Sequence, residues 1–386
     1  MITPSKTSLW VILASATLTV MAGSIIAPVL GQMGEGLGVD PSAARILITT
    51  HGIMIAVCSP AIGLLVDKVG VRRPYILGLT LYGLAGGSGL VITNYYLLIV
   101  SRLFLGVSVA AIFTSITVII LNLYEGAQRN KIMGWRGSSN SIGGVLWPLV
   151  GGSLGMFSWH LPFAGYLIGL PLAFLAFFSI PESQKGTARQ TEGVTKAESV
   201  LRLFRGTPVL FLPYGLIFIG NILLYAIIVF LPKLVGQFGI TSSFHIGTFI
   251  STVGLAGGVT SLFYGKIKER LSFKTLVVIA LALWAAGFAT VSQAPFSWVI
   301  SLAIVLFGMG MGITMPTVSL WVGELVPASF RGRMTSYITL FSYTGQFLSP
   351  IILSPIDSSL GLNTLFLAIG LTCAVFFILF LVLVQR

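Results

Sequence analysis

Long apolar stretches recur along the whole chain, and they constrain its fold more than any other feature. A bilayer span takes about 20 mostly apolar residues. Only 8% of the 386 residues are charged and 55% are hydrophobic, whereas about a quarter of a soluble protein is charged. We therefore predict an all-α membrane protein with twelve transmembrane helices, at about 8–30, 44–66, 74–93, 95–123, 133–157, 160–180, 208–232, 244–266, 274–293, 297–322, 331–356 and 361–384.

The net charge of +12 reflects membrane topology. If the amino terminus is cytoplasmic, only Arg45 and Lys233 of the 22 lysines and arginines fall in outer segments, and Arg102 lies inside helix 4. Such a positive-inside bias predicts that both termini are cytoplasmic. We therefore interpret the basic excess as topology and expect no nucleic-acid partner.

Signals of an enzyme or a bound cofactor are lacking. The two cysteines, Cys58 and Cys373, lie in apolar segments, where a small buried hydrophobic residue is the usual reading. The sequence has no phosphate-binding loop, metal-spaced His/Cys set or nucleophile elbow. We expect neither an enzyme nor a metal or cofactor, and the short loops indicate a bacterial-type inner membrane.

The chain divides into two similar halves. A polar stretch at 181–207 separates a six-helix part at 1–180 from another at 208–386, and we interpret it as a cytoplasmic linker. A shift of 202 residues superposes Gly63 on Gly265, Gly106 on Gly308 and Pro148 on Pro350, and charged loops fall on charged loops. Parallel repeats of this kind are a transporter architecture. We predict two pseudo-symmetric six-helix bundles.

The stretch GLLVDKVGVRRP, residues 63–74, resembles the signature between helices 2 and 3 of the major facilitator superfamily. The matching residues are Gly63, Leu65, Asp67, Lys68, Gly70, Arg72 and Arg73. A degenerate copy spans Gly265 to Lys274, with Ser272 in place of the second glycine. The resemblance implies a secondary transporter of small molecules that works by alternating access, as a monomer in the lipid bilayer.

The resemblance also implies a conformational latch on the cytoplasmic side. An acid near a helix amino terminus is stabilised by the helix dipole, and helix 11 would begin near Asp67. Arg72 and Arg73 would pair with acids at helix ends, such as Glu125. The alternative is a set of solvated topology charges. The predicted latch residues are Gly63, Asp67, Lys68, Gly70, Arg72, Arg73, Glu125, Arg129, Glu269, Arg270, Arg331 and Arg333.

Two further segments resemble drug exporters of this family. Arg102 and Gly106 in helix 4 fit a pattern in which the arginine is tied to proton coupling; bonding to helix carbonyls is the structural alternative. A charge at mid-membrane costs about 2.5–3.5 kcal/mol on insertion scales. Helix 5 resembles the antiporter signature, with Trp147 replacing its second glycine; the matching residues are Gly143, Pro148, Gly151 and Gly152. Small residues in helix 5 also suit plain helix packing.

Polar side chains at helical spacing mark a candidate substrate cavity, because lipid cannot satisfy them. In helix 11 they recur every three or four residues and so share a face. We predict that the cavity is lined by Arg102, Ser141, Asn221, Tyr225, Tyr343 and Gln346, with helix packing as the alternative for each.

No acidic residue is predicted inside a helix, so the sequence does not identify which residue carries the proton. The candidates are Glu35, Asp40, His51 and Asp357; His51 could titrate near neutral pH. We consider two main hypotheses: a proton-driven exporter of lipophilic small molecules, and a carrier of an organic anion bound by Arg102. A transporter-like receptor or lipid-handling module is a third, which would show no solute flux.

Overall fold

The computed structural model describes residues 6–124, 126–181, 204–326 and 331–385. Within these ranges the regular structure is helical throughout, with no strand. The α-helices are α1 (Lys6–Ser24), α2 (Leu30–Leu37), α3 (Pro41–Val69), α4 (Arg72–Gly87), α5 (Tyr95–Leu123), α6 (Gly126–Gly155), α7 (Gly169–Ser179), α8 (Phe211–Gly236), α9 (Ser243–Leu262), α10 (Tyr264–Arg270), α11 (Phe273–Ser292), α12 (Ser297–Leu325), α13 (Arg331–Leu360) and α14 (Leu362–Gln385).

Each predicted membrane segment coincides with one helix or with a run of consecutive helices. Among the described residues, eight helices or runs are long and apolar enough to cross a membrane, and a ninth is the pair α9 and α10, bent by 53°. Side chains such as Leu77, Phe104 and Leu371 are more than half exposed, as expected where lipid replaces water. The all-α membrane fold is confirmed, and the count of twelve spans stays a prediction.

The contacts between described residues group the chain into two units. The first contains those of 1–186 and 226–255, and the second contains those of 187–225 and 256–386. The boundaries cut α8 and α9, so the end of α8 and the start of α9 pack with the first unit. The division at 181–207, read from the sequence, stays a prediction, and most of that linker lies outside the described residues.

In the first unit, tyrosines hold α1 in place. The Tyr75 hydroxyl donates to Ser15 Oγ at 2.7 Å, and the Tyr82 hydroxyl donates to the Leu18 carbonyl at 2.8 Å. The two tyrosines are seven residues apart on α4, so they lie on one face about two turns apart. Both are fully buried. Each buried hydroxyl thus finds an acceptor on α1 and fixes that helix against α4.

The second unit has an aromatic core. Helix α11 packs against α12 and α14. The Phe288 ring lies 5.5 Å from the Phe307 ring and 5.9 Å from the Phe366 ring, and Trp284 lies 6.1 Å from Phe307. All four side chains are buried, and edge or offset contacts at these distances are favourable for aromatic rings.

One segment departs from α-helical geometry over an unusual length. Leu161–Ile168 forms a 3₁₀-helix of 8 residues, which continues directly into α7. Runs of 3₁₀-helix longer than three or four residues are uncommon, because the hydrogen bonds are poorer than in an α-helix. The segment has Pro162 near its start and carries Phe163 and Tyr166 into the core of the first unit.

Candidate functional site

Arg102 is the centre of a polar cluster inside the first unit. Its side chain is fully buried in α5. One nitrogen, Nη2, donates to the Gly86 carbonyl at 3.0 Å and to Ser101 Oγ at 3.2 Å. The Nε and Nη1 atoms have no hydrogen-bond partner among the described residues. A buried guanidinium is costly, and a hydrogen-bond interaction with the Tyr166 side chain offsets part of that cost.

Two aromatic rings supply part of that stabilisation. The Arg102 Cζ atom lies 5.0 Å from the ring centre of Phe163 and 5.0 Å from that of Tyr166. A cation within about 6 Å of an aromatic ring is attracted to its face, and the attraction grows when water is excluded. We call Arg102, Phe163 and Tyr166 the arginine cage.

Glycines make room for the cage. A Cβ on Gly86 would lie 2.5 Å from Tyr166 Cβ, and one on Gly89 would overlap the Phe163 ring. On α5, a Cβ on Gly106 would lie 2.7 Å from Met54 Cβ and would overlap the His51 carbonyl oxygen. The pair Arg102 and Gly106 of α5 therefore combines a buried cation with a close crossing of α3 and α5.

His51 of α3 lies close to this cluster. It is 1% exposed, and its imidazole is close enough to Arg102 to interact electrostatically with the guanidinium. Two positive charges in one buried region repel each other. A proton on His51 therefore opposes the charge of Arg102, which links the two candidate residues physically.

The antiporter-like motif of α6 is a set of backbone contacts. A Cβ on Gly143 would lie 3.0 Å from the Thr17 carbonyl oxygen, one on Gly151 would overlap the Ile25 carbonyl oxygen, and one on Gly152 would lie 2.5 Å from the Ser243 carbonyl oxygen. These glycines let α6 approach α1 and α9 closely, as small residues do in membrane helices.

The other side of α6 continues the close packing with α9. Ser251 Oγ donates to the Val145 carbonyl at 2.7 Å, and a Cβ on Gly254 would lie 2.8 Å from the Gly144 carbonyl oxygen. A Cβ on Gly247 would overlap the Pro148 carbonyl oxygen. Trp147 is buried, so the residue that departs from the motif still packs inside the protein.

The remaining predicted cavity residues are divided between the units. Ser141 belongs to the first unit with Arg102, is half-buried and donates to the Gly137 carbonyl at 3.4 Å. Asn221, Tyr225, Tyr343 and Gln346 belong to the second unit. Asn221 donates to the Ile217 carbonyl at 2.9 Å. Tyr225 and Gln346 are buried and Tyr343 is half-buried.

Within the second unit, the polar faces of α8 and α13 meet. A Cβ on Gly345 would lie 3.4 Å from Asn221 Cβ, and Ser349 Oγ donates to the Ile222 carbonyl at 2.8 Å. The structure therefore brings Asn221 beside the stretch that carries Tyr343 and Gln346, and the role of these residues as a cavity lining stays a prediction.

Part of the predicted latch lies outside the described residues, namely Glu125 and the side chains of Asp67, Arg129, Arg331 and Arg333. Arg72 lies over the Phe177 ring at 5.0 Å and donates to the Phe177 carbonyl in the last turn of α7. A cation at this helix end is favourable, because the helix dipole is negative there. Lys68, Arg73, Glu269 and Arg270 are exposed, and Gly63 is half-buried.

The four proton candidates differ in exposure. Glu35 and Asp40 are exposed at the end of α2 and before α3, whereas His51 in α3 and Asp357 in α13 are buried. An open groove of about 390 Å³ between α4 and α5 is lined mainly by apolar side chains, with Ser88 and Ser101 as its hydroxyl groups. None of the predicted cavity residues lines this groove.

Comparisons with known proteins agree with this architecture. The sequence model of the Major Facilitator Superfamily matches residues 12–350 and 225–386. The class C tetracycline resistance protein of Escherichia coli is 25% identical over 91% of this chain and 90% of its own length. The multi-drug resistance efflux pump PmrA of Streptococcus pneumoniae is 25% identical over 94% and 92%.

A likeness to solved structures supports the same fold. The crystal structure of a D-xylose-proton symporter superposes with a TM-score of 0.80 and 16% identity, and the match covers 96% of both chains. At this identity the likeness concerns the fold alone.

Proposed function

This chain belongs to the Major Facilitator Superfamily, and from this premise we propose that it exports lipophilic small molecules in exchange for protons by alternating access. Membership makes it a multi-pass membrane transporter of small molecules rather than an enzyme. The observation that carries the exporter proposal is the antiporter-like motif of α6, whose glycines Gly143, Gly151 and Gly152 are each pressed against a neighbouring backbone. The names of the relatives, which are drug resistance and efflux proteins, support the same substrate class.

The arginine cage also supports the exporter proposal over the organic-anion carrier. An arginine that binds a transported anion needs to be reached from water at some stage of the cycle. Arg102 is fully buried and lies against two rings, a carbonyl and a hydroxyl. A coupling role inside the bundle fits this burial better than direct capture of an anion.

Purified protein in proteoliposomes tests the proposal. A pH gradient is imposed, and proton flux is recorded after addition of ethidium, a lipophilic cation, and then of benzoate and other organic acids. We expect ethidium to release the gradient in liposomes that contain the protein and not in empty ones. Flux that depends on organic acids alone would replace the exporter by the anion carrier, and no flux with either class would favour a receptor or lipid-handling role.

We propose that the coupling proton is carried by His51 or Asp357 rather than by the exposed Glu35 or Asp40. A carrier must keep its proton away from bulk water for part of the cycle, and only the first two side chains are buried. His51→Gln and Asp357→Asn are compared with Glu35→Gln as the exposed control. One of the buried variants should lose substrate-driven proton flux. Loss in Glu35→Gln alone would refute the assignment.

The proposal also includes the conformational latch on the cytoplasmic side. Gly70 ends α3 with a φ of 83°, and Arg72 binds the end of α7, so the loop after α3 has a fixed geometry. We expect Asp67→Asn to slow exchange by at least about tenfold while the protein remains folded. Arg205→Gln, which changes an exposed charge outside the predicted latch, is the control. Exchange at the wild-type rate in Asp67→Asn would exclude the latch.

The topology is also proposed from the sequence. We place the chain as a monomer in a bacterial-type inner membrane. Both termini would lie in the cytoplasm, because basic residues are almost absent from the outer segments. Cysteine labelling of single-cysteine variants at Lys6 and Lys233 from either side of the membrane would test the orientation.

A further inference from the structure

Arg136 on α6 is a basic residue whose surroundings are not those of a topology charge. By sequence it belongs to the basic residues of the cytoplasmic side, which are expected to be solvated. Lys131, earlier on the same helix, is exposed in this way. Arg136 is only 9% exposed and lies about 15 Å along α6 from its start at Gly126. A guanidinium that is taken out of water needs compensating contacts, so its partners indicate its role.

Two contacts of Arg136 are with α5. Its Nη1 atom donates to Thr117 Oγ1 at 2.8 Å, and its Cζ atom lies 4.4 Å from the ring centre of Phe113. Phe113 and Thr117 are one turn apart and therefore share a face of α5. A planar guanidinium can donate to a hydroxyl and lie over an aromatic ring at the same time. The Arg136 side chain therefore joins α6 to α5 through two different kinds of contact.

The face of α5 that binds Arg136 also carries Arg102. Arg102 and Phe113 are about three full turns apart on α5, so they lie on nearly the same side of the helix, about 16 Å apart along its axis. One face of α5 thus holds Arg102, with its carbonyl, hydroxyl and ring contacts, and the two side chains that bind Arg136. A change in the position of α5 would act on both places.

On α6, Arg136 lies on nearly the same face as the first glycine of the antiporter-like motif. Arg136 and Gly143 are about two turns apart. A Cβ on Gly143 would lie 3.0 Å from the Thr17 carbonyl oxygen of α1, so this contact tolerates little rotation of α6. The contacts of Arg136 with α5 hold the rotation of α6 that turns Gly143 toward α1.

A second observation comes from the other half of the chain. At the 202-residue offset read from the sequence, Arg136 corresponds to Ile338, and its two partners on α5 correspond to Met315 and Ser319. Ile338 is 7% exposed, whereas Met315 and Ser319 are exposed. At the predicted counterpart, an isoleucine thus fills the buried position without a charge. A buried cation where an apolar residue suffices favours a role beyond packing.

We propose that Arg136 is a positioning residue that ties α6 to α5, so that the antiporter-like motif and Arg102 keep a fixed relation during exchange. It acts through Thr117 and Phe113 and carries neither substrate nor proton. With the tie in place, a proton event at Arg102 also acts on α6. Without it, the two helices respond separately, and substrate crosses with fewer protons. The inference rests on the proposed proton-coupled exchange.

Two variants remove the tie from its two ends. Arg136→Ile installs the residue of the predicted counterpart, and replacement of a buried charge by an apolar side chain is often neutral for stability. Thr117→Val removes the hydroxyl that accepts from Arg136 and keeps the branched shape of the side chain. If Arg136→Ile does not fold, Thr117→Val decides the question alone.

Each variant has a matched control on a helix of the same unit. Lys131→Gln removes another cation of α6 that lies over a ring, at 5.0 Å from the ring centre of Trp135, but that ring belongs to α6 itself. Thr80→Val removes a hydroxyl that donates to the Ile76 carbonyl of its own helix at 3.0 Å. Neither control removes a contact between α5 and α6.

The measurement is the number of protons moved per substrate molecule in proteoliposomes. The substrate is ethidium or benzoate, whichever the wild-type protein exchanges for protons, and the two fluxes are recorded together. We expect this ratio to fall by about tenfold in Arg136→Ile and by about threefold in Thr117→Val. Both controls should keep the wild-type ratio. A smaller amount of folded protein lowers both fluxes and leaves their ratio unchanged, so a purely structural role would not move it.

The wild-type ratio in both Arg136→Ile and Thr117→Val would overturn the inference, as would an equal fall in Lys131→Gln. The double variant adds a check, because each single variant removes the same bond. Arg136→Ile combined with Thr117→Val should have the ratio of Arg136→Ile alone. A clear further fall would mean that the two side chains act separately and would refute the tie.

The two proposals fail in different ways. If wild-type protein exchanges neither ethidium nor organic acids for protons, the proposed function is wrong and the inference falls with it. If wild-type protein exchanges and the tie variants keep its ratio, only the role of Arg136 is wrong.

Discussion

The arginine cage and the aromatic core of the second unit differ in how they fill buried space, and the repeat offset read from the sequence predicts that Arg102 and Gly86 have counterparts in that core. At the 202-residue offset, Arg102 corresponds to Ile304 and Gly86 to Phe288. All four residues are buried. One half keeps a cation beside a glycine, and the other fills the same space with a phenylalanine and an isoleucine.

The difference favours the first half as the one that carries the chemistry. A well-packed apolar cluster is the cheaper way to fill a helix bundle, because a buried charge must be compensated. The second unit follows that rule with Phe288 and Phe307. The first unit departs from it at Arg102, and such departures concentrate at functional sites. Exchanging residues between the two places can therefore separate packing from transport.

The largest effect is expected for Ile304→Arg. Ile304 is fully buried, and Phe288 stands where the first unit has Gly86, so its ring would fill the space that the new guanidinium needs. An uncompensated buried charge costs about 3–5 kcal/mol or more. We expect little folded protein, measured by size-exclusion chromatography in detergent and by thermal unfolding. A variant as stable as wild type would mean that the second unit can accommodate a cage.

Ile304→Met is the control for that experiment. It changes shape without adding charge, and such swaps usually cost under about 1.5 kcal/mol. Its melting temperature should stay close to that of wild type.

The next effect is expected for the reverse exchange, Arg102→Ile. Replacement of a buried charge by an apolar side chain of similar depth is often neutral or stabilising. We expect a folded protein whose substrate-driven proton flux falls by about a hundredfold or more, as for loss of a proton-coupling group. Flux and thermal unfolding are measured on the same preparation. Retained flux would show that the cage is structural, and simultaneous loss of folding would show that Arg102 is needed for packing.

A smaller effect is expected for Gly151→Ala, which tests the antiporter-like motif of α6. The added methyl group would overlap the Ile25 carbonyl oxygen, so α6 and α1 must separate, at a cost of about 1–3 kcal/mol. Gly134→Ala is the matched control, since nothing lies within 4 Å of a Cβ there. Exchange should fall severalfold in Gly151→Ala alone, and equal rates in the two variants would argue that the close contact has no part in transport.

The sequence predicted the helices well, because hydropathy and helix length depend on local composition. It also predicted Arg102 and Gly106 as a pair and small residues of α6 as packing residues; Gly151 is in close contact with α1, whereas nothing lies within 4 Å of a Cβ on Gly134 or Gly137. It missed Phe163 and Tyr166, since the ring positions depend on a 3₁₀ geometry that apolar composition does not encode. The stretch LPFAGYLI, with its early proline, and the glycines of GLAGGSGL were the available signals.

Other features needed the packed structure. The carbonyl of Phe177 as a partner of Arg72 could not be predicted, because backbone acceptors are present in every segment of a sequence. The grouping of residues 226–255 with the first unit depends on which helix faces meet, and a repeat offset alone does not fix that. Conversely, Gly70 was identified by its motif, and its φ of 83° explains why the motif needs glycine.

The smallest effects are expected where the two signature loops differ. Gly70 has φ 83° and ψ 164°, a conformation open essentially to glycine, so Gly70→Ser should cost about 1–3 kcal/mol. Its counterpart Ser272 has φ −71° and ψ 161°, and its Oγ accepts from the Thr275 amide at 3.2 Å as an N-cap. Ser272→Gly should therefore cost only a few tenths of a kcal/mol. Thermal unfolding of the two variants should show the larger loss for Gly70→Ser. Equal losses would mean that the degenerate copy keeps the geometry of the first loop, and that its serine is a substitution without structural consequence.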